Sequence, residues 1–206
     1  MDELIRIHNI VLSTKALGPG ERAAIWFQGC QRSCPGCMSP ETRPLDKGKY
    51  VRIKDIVDAL KRLEGIEGIT ISGGEPFLQK RSLYMILKEL KGNTNLGVII
   101  YTGYTLEELK RMNDSDVNGI LDGLCDLIID GEYVQELNDG KRFKGSSNQR
   151  LIFITDRYRR YTDLYEDEQR NVEIVVKNNE VYMYGIPDKT TLDKWQKYKN
   201  EQGETK

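Results

Sequence analysis

Residues 69–76 read Ile69-Thr70-Ile71-Ser72-Gly73-Gly74-Glu75-Pro76. Ile69-Thr70-Ile71 favours extended backbone, and a glycine pair followed by proline punctuates the chain, so a short buried strand must end at Gly73. A helix is expected over residues 82–90, where Leu83, Ile86, Leu87 and Leu90 share one face. Residues 97–102 then read as a strand again. Upstream, residues 52–63 place Ile53, Ile56, Val57, Leu60 and Leu63 at helical spacing, and strands are expected at 23–28 and 5–12. Downstream, a helix is expected at 106–112 and strands at 125–130 and 151–155. Such alternation implies parallel strands joined by right-handed crossovers with helices outside. About half a dozen strands are too few for a closed eight-stranded barrel, so the expected fold is α/β, an open partial barrel of six β/α units.

The pattern changes after Arg170. Val172-Glu173-Ile174-Val175-Val176 and Glu180-Val181-Tyr182-Met183-Tyr184 flank Lys177-Asn178-Asn179, which reads as an antiparallel hairpin added to the edge of the main sheet. A final helix is expected over 190–199, and residues 200–206 read as a fraying polar tail. A chain of 206 residues accommodates one domain, with a core over about residues 5–155 and an extension over 171–199.

Composition narrows the partners. With 31 basic and 32 acidic residues the formal charge is -1, so no global field draws the chain to nucleic acid or an anionic membrane. Residues 1–6 are acidic where a signal peptide is basic, and no apolar run approaches the roughly 18 residues of a membrane span. The expected location is the cytoplasm.

Three of the four cysteines fall in Gly29-Cys30-Gln31-Arg32-Ser33-Cys34-Pro35-Gly36-Cys37, a C-x3-C-x2-C run. Thiols this close in sequence read as metal ligands in a reducing compartment. Three thiolates at this spacing can hold three corners of an iron–sulfur cube and leave one iron open. The same spacing also suits a structural zinc site completed by His8 or Cys125, or an electron-carrier cluster closed by Cys125. His8, the only histidine, lies in a strand-like segment, and Cys125 reads as a buried apolar residue. Trp26, Phe27 and Trp195 read as packing, and Arg22 as either a ligand contact or a solvated charge.

The cysteine run followed by Ser72-Gly73-Gly74-Glu75-Pro76 resembles the paired signature of radical S-adenosylmethionine (SAM) enzymes. Tyr101-Thr102-Gly103-Tyr104-Thr105, Asp130-Gly131-Glu132-Tyr133 and Gly145-Ser146-Ser147-Asn148-Gln149-Arg150 resemble segments of the anaerobic ribonucleoside-triphosphate reductase activating proteins, in order over about residues 5–155. That resemblance implies the radical SAM type of partial barrel and a 4Fe-4S cluster on Cys30, Cys34 and Cys37. It also implies SAM bound at the open iron and cleaved to a 5'-deoxyadenosyl radical, which makes a glycyl radical on a large partner enzyme. Gly36 and Met38 would line SAM beside the cluster, and Gly73, Gly74 and Glu75 would take its methionine end, the glycines letting backbone approach the ligand. Thr102, Asp130, Ser147, Asn148 and Arg150 would supply further polar contacts. The implied partners are a glycyl-radical enzyme resembling the anaerobic ribonucleotide reductase and a low-potential electron donor such as flavodoxin or ferredoxin. Two other readings remain: radical SAM chemistry on a peptide or small molecule, and a non-catalytic iron–sulfur or zinc module. Leu17, where the family commonly has aspartate, and Met38, often aromatic there, depart from its pattern, as does the extension past Arg170.

Overall fold

Alternating burial along the strands shows how the sheet is used. In the computed structural model, which describes residues 3–177 and 179–201, Val98 and Ile100 pack in one apolar cluster with Ile69, Ile71 and Ile128. Ile99 points the other way, into a second cluster with Leu127 and Ile129. Both faces are therefore covered, which is what parallel strands rich in isoleucine and valine require.

Seven strands form the sheet: β1 (Leu4–Thr14), β2 (Arg22–Phe27), β3 (Lys49–Arg52), β4 (Gly68–Gly73), β5 (Gly97–Tyr101), β6 (Leu127–Asp130) and β7 (Arg150–Phe153), in the order β3-β1-β2-β4-β5-β6-β7. The helices are α1 (Ile53–Lys61), α2 (Lys80–Asn93), α3 (Leu106–Arg111), α4 (Ser115–Gly119), α5 (Thr162–Glu166) and α6 (Lys189–Glu201). The apolar stripes of α1 (Ile53, Ile56, Val57, Leu60) and α2 (Leu83, Ile86, Leu87, Leu90) pack against one face of the sheet. Helix α3 begins at a reciprocal cap: Glu108 N donates to Thr105 Oγ1 at 3.2 Å and Thr105 N to the Glu108 carboxylate at 2.7 Å.

The α/β class matches the sequence, but the parallel part is smaller than six β/α units. Parallel pairing is confined to β2, β4, β5 and β6. β1 is antiparallel to β2 because residues 15–21 are too few for a crossover, which takes a dozen or more. β7 is antiparallel to β6, since residues 131–149 carry only the short turn Gln135–Leu137 and return the chain to the edge it left, pairing Asp130 with Arg150. The sheet does not close.

The hairpin forms, but not as an addition to the main sheet. β8 (Val172–Lys177) and β9 (Glu180–Gly185) make a separate two-stranded sheet, seated through Tyr184, whose ring centroid lies 5.4 Å from that of Trp26. Asn178 of the expected turn and residues 202–206 of the expected tail lie outside the described residues. Among those described, no helix is long and apolar enough to cross a membrane.

Arg22 is neither a ligand contact nor solvated. It is fully buried at the strand ends opposite the cysteines. Its guanidinium donates to Thr70 Oγ1 (2.8 Å), Ile69 O (2.7 Å), Tyr158 Oη (2.8 Å) and the Glu67 carboxylate. A buried charge so fully paired fastens the sheet.

Candidate functional site

The four parallel strands end at Phe27, Gly73, Tyr101 and Asp130, and the cysteine loop leaves from the first of these ends. Four hydrogen bonds place it. Gly29 N donates to Thr42 O (2.7 Å) and Cys30 N to Arg43 O (2.9 Å), so the loop's two limbs are zipped together. Gln28 adds bonds from Nε2 to Glu41 O (3.2 Å) and Pro44 O (2.9 Å). Cys30, Cys34 and Cys37, all half-buried, line one pocket with Gly73, Gly74 and Glu75.

Gly73 and Gly74, both on the pocket wall, also serve a close approach within the chain. A β-carbon on Gly73 would strike Phe27 backbone, and one on Gly74 would strike Gly29 O. Gly74 N donates to Phe27 O and Glu75 N to Gly29 O, both at 2.8 Å. The glycines let the end of β4 press against the chain entering the cysteine loop, fixing the distance between the two motifs.

Glu75 is almost fully buried. Its carboxylate accepts from Phe77 N (3.0 Å), Thr102 Oγ1 (2.9 Å) and Gly103 N (2.8 Å). Burial pushes its pKa up while those donors pull it down. Thr102, expected as a ligand contact, spends its hydroxyl proton on Glu75 and accepts from Tyr104 N at 3.1 Å. It still borders the pocket.

Two cations stand in the walls. Arg32 lies 4.6 Å from the centroid of the Tyr104 ring and pairs with Glu132 (2.7 Å) and Glu108 (3.3 Å). Its Nε and that of Arg43 are buried with no partner among the described residues. Burial pushes the Cys30 and Cys37 thiols up, and Arg43 works against that shift at both. Unspent guanidinium donors beside three thiols suit a bound group that is anionic at the sulfurs. Among the described residues, no group of three His, Cys, Asp or Glu side chains is placed to hold a single metal ion. Three thiols on one pocket, with unspent guanidinium donors beside them, fit a 4Fe-4S cluster.

Neither proposed fourth ligand reaches the pocket. Cys125 is fully buried in the apolar cluster beneath α1 and α2, its Sγ 3.4 Å from Ile120 O, and burial pushes its thiol up to about 12. His8 lines a neighbouring groove instead.

The remaining residues divide. Met38 borders the pocket, whereas Gly36, Asp130, Ser147, Asn148 and Arg150 do not. Gly36, with φ +66°, packs against Gln135. Asp130 is fully buried and accepts from Leu106 N (2.7 Å) and from Arg150, tying β6, β7 and α3 together. Ser147 and Asn148 are exposed, and Asn148 Nδ2 donates to Glu132 O at 2.8 Å.

Sequence reasoning missed Arg32, Arg43, Tyr133 and Gln149, which all line the pocket. Gln149 is held by bonds from Nε2 to Gly131 O (2.9 Å) and from Gly145 N to Oε1 (2.8 Å). The signal lay in the quoted motifs, which contain Arg32, Tyr133 and Gln149; the ionisable Asp130 and Arg150 drew attention from their neighbours.

Comparisons with known proteins agree with this chemistry. The family model for the 4Fe-4S single cluster domain matches residues 16–152. The anaerobic ribonucleoside-triphosphate reductase-activating protein of Salmonella typhi is 31% identical over 140 residues, covering 64% of this chain and 88% of that protein. The protein of the same name from Escherichia coli (strain K12) is 32% identical over 148 residues, with coverage of 64% and 88%. The pyruvate formate-lyase-activating enzyme of Clostridium pasteurianum is 33% identical over 117 residues, covering 53% of this chain and 49% of that enzyme. With three thiols and the Ser72–Glu75 turn opening into one pocket, the chain belongs to the 4Fe-4S single cluster domain family, as a radical SAM oxidoreductase of the anaerobic ribonucleoside-triphosphate reductase-activating, glycyl-radical type.

Proposed function

We propose that this chain activates a glycyl-radical enzyme, most closely an anaerobic ribonucleotide reductase, by reductive cleavage of SAM. When bound, the cluster and SAM would supply one reaction: an electron from a low-potential donor such as flavodoxin or ferredoxin splits SAM into methionine and a 5'-deoxyadenosyl radical, which takes a hydrogen atom from a glycine Cα of the partner, leaving 5'-deoxyadenosine and a glycyl radical. Cys30, Cys34 and Cys37 hold the cluster in this reading. Arg43 and Arg32 offset the negative charge of three thiolates. The Ser72–Glu75 turn, with Met38 and Gly103, forms the wall facing SAM, and Glu75 keeps that wall in register through Thr102 and Gly103. Tyr133 and Gln149, also on the pocket wall, limit access of water. The chain acts as a single domain of the partial-barrel type in the cytoplasm.

The observation that carries this reading is the placement of all three thiols and the glycine-rich turn on one pocket at the C-terminal ends of the parallel strands, the edge where open α/β sheets gather ligands. The test is anaerobic reconstitution with iron and sulfide, then addition of SAM and dithionite. Formation of 5'-deoxyadenosine is expected, and with a partner reductase an electron paramagnetic resonance doublet from a backbone glycine radical. A fully loaded cluster that yields no 5'-deoxyadenosine overturns the proposal.

A further inference from the structure

Six consecutive residues of β9, Glu180–Gly185, border a groove of about 370 Å3 beside the cysteine pocket. Side chains along a strand alternate between two faces, so a groove bordered by every residue in turn runs along the strand's edge. β8 occupies the other edge, in a register from Val172 opposite Gly185 to Lys177 opposite Glu180. Among the described residues, no other strand pairs with β9, and no backbone hydrogen bond links Val181, Met183 or Gly185 to another element. The groove therefore follows a free line of backbone donors and acceptors.

The register tells which groups are free. Lys177 and Glu180 close a hairpin with two residues between them, and such a closing pair exchanges both backbone bonds. Alternation then turns the N–H and C=O groups of Val181, Met183 and Gly185 away from β8. The edge also leads somewhere: Trp26, Met38, Ser39 and Gly185 border both the groove and the cysteine pocket. An extended chain laid along β9 therefore reaches residues that also border the cysteine pocket.

We propose that the free edge of β9 captures an extended segment of the polypeptide to be activated as an added β-strand, with the strand's end feeding the target glycine into the cysteine pocket. The proposal rests on the glycyl-radical reading above. Main-chain pairing would supply affinity that is tolerant of sequence, while Trp26, Tyr184 and Trp195 along the groove would receive alternate side chains.

The test uses the full chain under anaerobic conditions and a synthetic peptide spanning the radical-bearing glycine of an anaerobic ribonucleoside-triphosphate reductase, followed by hydrogen exchange with mass spectrometry. The unmodified peptide is expected to slow exchange across residues 180–185 by ~10-fold or more at saturation. The same peptide N-methylated at every second residue, in either phase, should lose the effect in the phase that faces β9. Met183→Pro, which removes an outward N–H and no bond to β8, should abolish the slowing. No slowing at residues 180–185 overturns the proposal, as does equal slowing by both N-methylated peptides. Slowing that appears without peptide and grows with protein concentration also overturns it, in favour of a second copy of this chain on the same edge. SAM cleavage is read separately, so its failure would sink the functional reading and leave the exchange result standing.

Discussion

Arg150 grips the fully buried carboxylate of Asp130 with two donors, Nε at 3.0 Å and Nη2 at 2.5 Å, while nearly half of its own side chain stays in solvent. The asymmetry of burial has an energetic consequence. Removing the arginine strands a buried anion with Leu106 N as its other donor, whereas removing the aspartate leaves a cation that reaches water and Glu107. Arg150→Ala is expected to cost about 3 kcal/mol, and Asp130→Asn about 1–2 kcal/mol. Urea unfolding of the metal-free protein measures both, and an equal or reversed order would contradict the structural role of the pair.

Glu107 gives the same network a pH signature. Arg150 holds its carboxyl down from 4.5 to about 2. A carboxyl with a depressed pKa in the fold adds stability above its unfolded value, and that stability drains away as pH falls through the window from 4.5 to about 2. Because Glu107 is exposed the contribution is small and screened by salt. The difference in urea midpoint between the parent and Glu107→Gln should therefore vanish by the bottom of that window, and shrink in high salt at neutral pH. A difference that grows on acidification would refute the pairing.

Glu75 is poised to be intolerant of its nearest isostere. Phe77 N and Thr102 Oγ1 donate to its Oε1 and Gly103 N to its Oε2, so a backbone N–H faces each oxygen. In Glu75→Gln the amide nitrogen must face one of those donors. A cost of about 1–3 kcal/mol is expected, together with a shifted Thr102–Gly103 turn and weaker SAM binding in the reconstituted protein. Isothermal titration with SAM, beside urea unfolding, reads the two effects. Unchanged affinity with unchanged stability would mean that the three bonds hold nothing in place.

These cases show what the sequence made legible. Period and punctuation located β4, β5, α1 and α2 because each buries a regular apolar stripe. Strand direction was harder: β1 and β7 look like their parallel neighbours locally, and only the content of residues 15–21 and 131–149 turns them around. Cys30, Cys34 and Cys37 were readable as a group because sequence spacing alone brings them together. Arg32 and Arg43 were not, since their value lies in unspent Nε donors that depend on Tyr104, Glu132 and the return of the loop at Thr42. Asp130 and Arg150 show the converse: the sequence displays two ionisable residues at a strand end, and only the fold shows them paired with each other.

Gly74 should be among the least replaceable residues for cluster loading. Its β-carbon would collide with Gly29 O, a backbone atom at the base of the cysteine loop that also accepts from Glu75 N. No side-chain rotation relieves that contact, so Gly74→Ala must push the loop away from β4. The variant is expected to fold, because the atoms struck are loop backbone at Gly29 and Thr42 and not side chains of the apolar core, yet to hold much less iron and sulfide per chain after reconstitution. Iron content and visible absorbance check this; full loading would show that the turn and the loop are not mechanically joined.

The fourth cysteine supplies the sharpest control on the ligand set. Cys125 sits in the core with its Sγ toward Ile120 O, and burial pushes its thiol up to about 12, so it holds its proton at any working pH and makes a poor metal ligand. Cys125→Ala trades one small buried group for another and is expected to cost about 1 kcal/mol in unfolding, while iron and sulfide per chain stay at the parent value. Cys34→Ala should do the opposite, with unfolding almost unchanged in the metal-free protein and cluster content collapsing, since Cys34 lies half-buried on the pocket wall rather than in the core. If instead Cys125→Ala loses the metal and Cys34→Ala keeps it, the cluster is closed by the core cysteine and the open corner on which SAM binding depends does not exist.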